Sequence, residues 1–347
     1  MMQHRVLRFG VVGLGEFGEV YLACLQSLAP LLQVEITAVC SRTRTRAQEL
    51  AERFGVPGVY TDVKDLARDP AVDVVCVVTA EGEHAVPVLA ALRAGKDVIV
   101  EKPLATNLAD ARTMIDTARE TGRQLLVGHL LRYETMYRQL HEQVQTGQLG
   151  TPVSIHTRRN RPGSIVSRYR RTHPVLETGI LDIDVMLWLT GSRVKQVSAI
   201  SRTVVPVPAG TPDLLWGMLE FANGCIGVLE TSWLGPSHSG VFTDDCISVI
   251  GTKGTARLDL SRAPLAMWNE SGYTMPDTMY SPVIGGEVLG AFRTQMMHFI
   301  AALRSPGTPP PVPMDEVTHG LQVALALIAA SEKGETVVID DFHDLPA

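Results

Sequence analysis

A chain of 347 residues is long enough for two domains with separate cores. Its composition, 45% hydrophobic and 20% charged, is that of ordinary globular proteins and argues against disorder or a fibrous fold for most of its length. A net charge of −6 leaves no strong basic field, so neither nucleic acid nor a membrane is an expected partner, and any basic site must be local.

The first 125 residues alternate two kinds of signal. Strands are expected over 6–12, 34–40, 72–78, 97–100 and 124–127. Helices are expected over 17–28, 46–54 (closed by Gly55), 85–94 (stopping at Gly95) and 108–120 (stopping near Gly122). The run at 72–78 is almost continuously β-branched, as in a strand covered on both faces. Strands separated by helices predict a doubly wound parallel sheet of Rossmann type.

The pattern changes after about residue 128. A helix is expected over 133–146, and another over 175–189. Extended segments at 153–158, 194–204, 214–221, 225–231 and 246–250 are joined mostly by turns. They predict a large, mostly antiparallel sheet with one open face. Five prolines make 305–313 a loop, an apolar helix follows over 321–331, and a turn and short strand over 334–339. The expected organisation is therefore α/β throughout. Residues 1–127 form a dinucleotide-binding domain, and 128–347 form a substrate-binding and oligomerisation domain.

The five cysteines, Cys24, Cys40, Cys76, Cys225 and Cys246, show no Cys-x-x-Cys pair and read as buried free thiols of a reducing compartment. No apolar run reaches the ~18–20 residues of a membrane span. The start lacks a signal-peptide layout, so a soluble cytoplasmic protein is expected. No His/Cys/Asp spacing suggests a metal site.

Gly13-Leu14-Gly15-Glu16-Phe17-Gly18 is G-x-G-x-x-G, directly after a strand and opening a helix. In that context Gly13 makes the tight turn, Gly15 admits a pyrophosphate to the backbone, and Gly18 lets helix and strand pack. The free N–H groups and dipole of the helix start stabilise the diphosphate. An acid about 20 residues on would bind the ribose 2′-hydroxyl of NAD. The sequence there is Cys40-Ser41-Arg42-Thr43-Arg44. Ser41 can donate to a 2′-phosphate and Arg42 can pair with it. The reading favours NADP(H), with NAD the alternative, over a merely solvated helix start.

Three further motifs complete a pattern. Glu101-Lys102-Pro103 follows a strand, Gly128-His129 leads to Arg132-Tyr133, and Gly147-Gln148-Leu149-Gly150-Thr151-Pro152 comes next. With the glycine motif, these resemble the Gfo/Idh/MocA family of sugar and cyclitol oxidoreductases over nearly the whole chain. The resemblance implies a cofactor set of Gly13, Gly15, Glu16, Phe17, Gly18, Ser41, Arg42, Thr79, Glu101, Lys102 and Pro103. It implies that Lys102 lies beside the nicotinamide and contacts the reacting oxygen. An ammonium there can polarise a carbonyl and stabilise the developing alkoxide. The resemblance also implies an open sheet face paired with another subunit, in a homodimer or homotetramer.

The family's second motif is Asp-x-x-x-His-x-x-Asp on a helix. Here it reads Glu177…Leu181…Asp184, at i, i+4 and i+7 on one expected helix face. Leucine cannot carry a proton. Three accounts stay open: Lys102 transfers the proton, a neighbour such as His173, Tyr169 or Glu177 substitutes, or catalysis is lost. His84 reads as a helix-start contact. The leading function is hydride transfer to or from a secondary alcohol or ketone of a sugar or cyclitol, with Lys102, Glu177, Asp184 and His173 as catalytic candidates. A non-catalytic cofactor-binding sensor is the alternative, motivated by Leu181. A reductase for another C=O or C=N bond and a glycosidase using bound cofactor rank below these.

Arg158, Arg159, Arg161, Arg168, Arg170 and Arg171 fall within a stretch that contains no acid. Arginine forks bind carboxylate and phosphate, so an anionic sugar derivative is one reading, with Lys102, Arg158, Arg161, Tyr169 and Asp184 as substrate contacts. A solvated loop, or pairing with acids across a subunit interface, is the equal alternative.

Overall fold

The computed structural model describes residues 5–166, 172–205, 211–237, 243–261, 265–270, 272–305, 307 and 309–339. The chain divides into two compact units, Met1–Leu130 with Met279–Met314, and Leu131–Thr278 with Asp315–Ala347. The sequence suggests one break, at 127/128. The structure instead returns the segment from Met279 to the first unit.

The first unit holds a six-stranded, all-parallel sheet in the order β3-β2-β1-β4-β5-β6. Its strands are β1 (Leu7–Val12), β2 (Val34–Cys40), β3 (Gly58–Tyr60), β4 (Val74–Val77), β5 (Asp97–Glu101) and β6 (Leu125–Gly128). Its helices are α1 (Glu16–Leu32), α2 (Arg44–Phe54), α3 (Val63–Arg68), α4 (Ala85–Arg93) and α5 (Leu108–Thr121). All of β4 is buried, which explains its unbroken apolar sequence. The short β3 and α3 are absent from the sequence reading. Strand order reverses between β1 and β4, and a crevice at the carboxyl ends of strands at such a switch is where doubly wound sheets bind ligands.

In the second unit, α6 (Thr135–Gln145) precedes β7 (Pro152–Pro162). A π-helical turn (Val175–Gly179) then runs into α7 (Ile180–Thr190). Strands β8 (Val194–Arg202), β9 (Leu214–Phe221), β10 (Ile226–Gly235), β11 (Asp244–Gly251) and β12 (Thr255–Asp259) follow, with a hairpin of β13 (Met267–Asn269) and β14 (Gly272–Thr274). Back in the first unit lie the hairpin β15 (Val283–Ile284)–β16 (Glu287–Val288) and α8 (Gly290–Leu303). Helix α9 (Met314–Lys333) and β17 (Val337–Val338) close the described chain.

Helix α8 was not foreseen in the chain-order reading, yet its burial is plainly helical. Ala291, Phe292, Gln295, Met296, Phe299 and Ile300 are all buried. Phe292 meets the rings of Phe17 and Tyr21 edge-on at 5.3 and 4.8 Å, and Gln124 donates to Ala302 O at 3.1 Å. Those contacts tie the returning helix to α1 and to β6.

The second sheet has the order β12-β11-β7-β10-β9-β8-β17, antiparallel except where β10 pairs parallel with β7. One face is covered by helices. Gly227 lies against Met186 of α7 and Gly217 against Leu327 of α9, and a Cβ at either glycine would stand 2.9 or 2.6 Å from those side chains. The other face is open and apolar, with Ile200, Trp216, Met218, Ile226 and Ile250 exposed. Among the described residues no helix is long and apolar enough to cross a membrane.

Candidate active site

The carboxyl ends of β1, β2, β4 and β5 converge in the first unit. The turn after β1 is shaped by close backbone approach. Gly13 has φ +96°, and a Cβ there would stand 2.4 Å from Val78 O. A Cβ on Gly18 would stand 2.1 Å from Gly13 O. By contrast, a Cβ on Gly15 meets nothing within 4 Å. Gly15 is the N-cap of α1 and supplies no side-chain cap, so the first N–H groups of the helix lack a side-chain acceptor from that position. The buried Thr79 Oγ1, after β4, has no hydrogen-bond partner. Open backbone at Gly15, an uncapped helix start and an orphaned hydroxyl fit the diphosphate and ribose of a dinucleotide. Glu16 is exposed at the helix start, and Phe17 packs against Tyr21 and Phe292.

At the end of β2, the Ser41 hydroxyl accepts from Thr43 N at 3.3 Å, and Arg42 pairs with Glu83 at 3.0 Å on the surface. Arg42 is thus already partnered by an acid, a pair worth only ~0–1 kcal/mol when exposed. Arg46 is turned away from this end, bonding Leu14 O and Glu19.

At the end of β5, the peptide Lys102–Pro103 is cis. The Glu101 side chain does not face solvent at this end; it accepts from Tyr21 OH at 2.7 Å, and burial pushes its pKa up. His84, at the start of α4 and 1% exposed, reaches Pro103 O with Nδ1 at 2.9 Å and Thr79 O with Nε2 at 3.2 Å. It is a helix-start residue, as its position suggests, but its ring is committed to two other turns.

In the second unit, the expected single helix over 175–189 is broken. Glu177 sits in the π-helical turn and α7 begins at Ile180, so Glu177, Leu181 and Asp184 do not lie along one uninterrupted α-helical face. Leu181 is half-buried. Glu177 is buried, and its N–H donates to His173 O at 3.1 Å. His173 Nδ1 accepts from Val175 N at 3.1 Å, which leaves its proton on Nε2. Burial pulls that imidazole down to about 4, so the ring is neutral at neutral pH and offers a donor only through Nε2.

Asp184 is 2% exposed and gripped by the Arg132 fork at 2.9 and 2.7 Å, with Arg132 also reaching Glu316 at 2.5 Å. That arrangement ties the turn before α6 to α7 and α9 and gives Asp184, expected as a substrate or proton-transfer group, a structural partner. Arg132, quoted in the sequence only as part of a motif, is the partner that composition could not reveal.

The basic cluster is also rearranged by pleating. Successive side chains of β7 face opposite ways. Arg159 and Arg161 lie buried on the helix-covered face, whereas Arg158 points to the open face and pairs with Asp244 at 2.9 Å. Arg158 and Arg161 therefore cannot line one substrate pocket together. Arg159 is 1% exposed and holds Asp182 at 2.8 and 3.1 Å, Asp245 at 2.5 Å and Tyr137 OH at 3.1 Å. Arg161 binds the other Asp245 oxygen at 2.5 Å. The missing acids come from α7 and β11, far off in sequence and in the same chain. Tyr169, Arg168, Arg170 and Arg171 lie outside the described residues.

All five cysteines are buried free thiols, with burial pushing Cys24 up to about 12 and Cys40 to about 11. Among the described residues no group of three His, Cys, Asp or Glu side chains is placed to hold a metal ion.

Two family models match the chain. Residues 7–129 match an oxidoreductase family with an NAD-binding Rossmann fold, and residues 137–257 match the Gfo/Idh/MocA C-terminal domain. Myo-inositol 2-dehydrogenase of Thermotoga maritima is 27% identical, over 96% of this chain and 99% of that protein. The scyllo-inositol 2-dehydrogenase (NAD(+)) of Bacillus subtilis is 25% identical, over 98% of each. The crystal structure of a probable dehydrogenase from Thermotoga maritima superposes with a TM-score of 0.80 at 26% identity, over 96% of this chain and 98% of that one. With both of its halves matched and its glycine and Glu-Lys-Pro turns so arranged, the chain belongs to the Gfo/Idh/MocA family of oxidoreductases.

Proposed function

We propose that this protein is a dehydrogenase or ketoreductase for a secondary alcohol or ketone of a cyclitol or related sugar, its first unit binding the cofactor and its second the substrate. The observation that carries the reading is the Lys102–Pro103 turn at the carboxyl end of β5, in the same unit as the open glycine turn. Bound nicotinamide supplies hydride exchange with the carbinol carbon. Gly13, Gly15, Gly18 and the start of α1 hold the diphosphate, with Thr79 beside them. Lys102 holds the reacting oxygen, and since Leu181 has no proton to give, the Lys102 ammonium exchanges the proton with that oxygen. Within the second unit, Glu177 and the His173 Nε2–H supply an acceptor and a donor suited to a polyol's hydroxyls.

For the cofactor we propose NADP(H), with NAD(H) as the alternative. An acid-free β2 terminus bearing Ser41 and Arg42 supports the first. The Arg42–Glu83 pair, and a relative named for NAD(+), support the second. The inositol dehydrogenases among the relatives support a cyclitol substrate. Internal pairing of Arg159 and Arg161 supports a neutral polyol over an anionic sugar. The open face of the second sheet supports a homodimer or homotetramer, and the buried thiols support a reducing, cytoplasmic setting.

The test is nicotinamide absorbance on a panel of inositols and their ketones with each cofactor, after titration of NADPH against NADH by protein fluorescence. Lys102→Ala is expected to lower kcat by about 10²–10⁴-fold with cofactor binding retained. Turnover unaffected by that change sinks the assignment. Leu181 favours a second reading, a cofactor-binding sensor; tight cofactor binding with no turnover on the whole panel would establish it instead.

A further inference from the structure

Lys102 is the first residue past the last ladder pair of β5, where Glu101 pairs with Gly128. Beyond that pair the sheet no longer fixes the backbone. Its neighbours do. On one side Glu101 is held in the ladder and through its carboxyl to Tyr21 OH at 2.7 Å. On the other side Pro103 cannot donate a backbone hydrogen bond, so its carbonyl is the polar handle available, and His84 Nδ1 takes it at 2.9 Å. The same ring reaches Thr79 O at 3.2 Å. His84 is itself rigid: 1% exposed, with its carbonyl accepting from Val88 N inside the start of α4.

We propose that His84 is a positioning residue, a clip that ties the turn after β4 to the turn after β5 and thereby sets where Lys102 presents its ammonium. This rests on the role given to Lys102 above. Both partners of the ring are carbonyl acceptors and a neutral imidazole has one N–H; placed on Nδ1, it donates to the closer Pro103 O and fixes the lysine turn, while the Nε2 edge packs against Thr79 O without a hydrogen bond. The Thr79 contact lies in the turn that carries the orphaned Thr79 hydroxyl, so one side chain registers a cofactor-contacting turn and the lysine turn against each other. Misplacing a reacting group by about 1 Å costs on the order of 10²-fold in rate.

His84→Phe fills the space without a donor, and His84→Asn keeps a donor near the Nδ1 position. In the Lys102 background, His84→Phe is expected to lower kcat by about 10–10²-fold, with the NAD(P)H dissociation constant changed far less, and His84→Asn to recover most of the loss. In the Lys102→Ala background, neither substitution is expected to lower the residual rate further. An equal fractional loss in both backgrounds, or wild-type kcat in His84→Phe, overturns the proposal. A second readout does not need turnover. Reductive methylation of Lys102, followed by peptide mass spectrometry with and without NAD(P)H, is expected to differ severalfold between wild type and His84→Phe and to return toward wild type in His84→Asn. If His84→Phe fails to fold, the His84→Asn and His84→Gln labelling rates and double-mutant cycles decide: indistinguishable from wild type for both, and the clip is refuted. A wild-type protein without turnover would sink the dehydrogenase reading, while the labelling comparison would still judge the clip.

Discussion

Removing Arg159 separates a substrate role for the basic cluster from a structural one. Its guanidinium is 1% exposed and contacts Asp182, Asp245 and Tyr137 OH. Arg159→Met keeps much of the volume but leaves Asp182, at 1% exposure, without those two bonds, and takes one arginine from Asp245 while its pairing with Arg161 stays. Breaking one member of a buried ionic network costs about 3–5 kcal/mol, because a desolvated charge is left uncompensated. For a unit of this size each kcal/mol moves the midpoint by ~2–4 °C, so a fall of roughly 6–20 °C is expected by calorimetry. The pH dependence carries a definite sign. Burial already outweighs Arg159 and raises the Asp182 pKa, and the substitution raises it further. A carboxyl whose folded pKa lies above its unfolded value, near 3.9, folds most readily protonated. The deficit of the variant is therefore smallest in acid and grows as pH rises from about 4 through the folded value. KM for the polyol, measured below the midpoint, should change little. A stability loss under about 1 kcal/mol, or an intact midpoint with a steep rise in KM, would refute the network reading and restore an anion site.

Gly13→Ala should weaken NAD(P)H binding by about ten- to a hundredfold, since φ +96° and a Cβ 2.4 Å from Val78 O force the turn to open; unchanged affinity in a fluorescence titration would contradict it. His173→Gln tests a linkage. The wild-type imidazole, pulled to about 4, binds its proton in the unfolded chain first, so stability rises as pH climbs from about 4 to 6.5, by on the order of 3 kcal/mol. The variant should lose that slope in denaturant titrations, and identical slopes would show the ring is not buried neutral. Met218→Lys, on the open sheet face beside Trp216, should shift the protein to smaller species in light scattering; an unchanged mass would move the subunit contact elsewhere.

What could be read from the sequence divides along a physical line. The parallel sheet was legible because β4 and its neighbours are buried on both faces and their helices end at glycines such as Gly55 and Gly122, in the left-handed region at φ 68° and 64°. The glycine turn was legible because its constraints are local: strand, tight turn and helix are adjacent in the chain. Helix α8 was missed, although its apolar spacing is regular, because it lies far along the chain from the unit it completes, and the contacts that place it, Phe17, Tyr21 and Gln124, are distant in sequence.

The same line runs through the site. A count of arginines over residues 158–171 sees charge but not direction. On β7 the pleat sends Arg158 to the open face and Arg159 and Arg161 to the covered one, and alternation alone could have separated them. What alternation could not supply is the acids: Asp182 arrives on α7 and Asp245 on β11, so only the folded chain shows the charges already answered. Asp184 repeats the lesson. Its match to the family's helical motif marked it as reactive, whereas the folded chain gives it the Arg132 fork, which joins the turn before α6 to α7 and α9. The proposal that Lys102 carries the proton follows from an aprotic Leu181 and a neutral His173, and on that proposal the precision with which Glu101 and His84 hold the backbone on either side of the lysine is the property on which turnover depends.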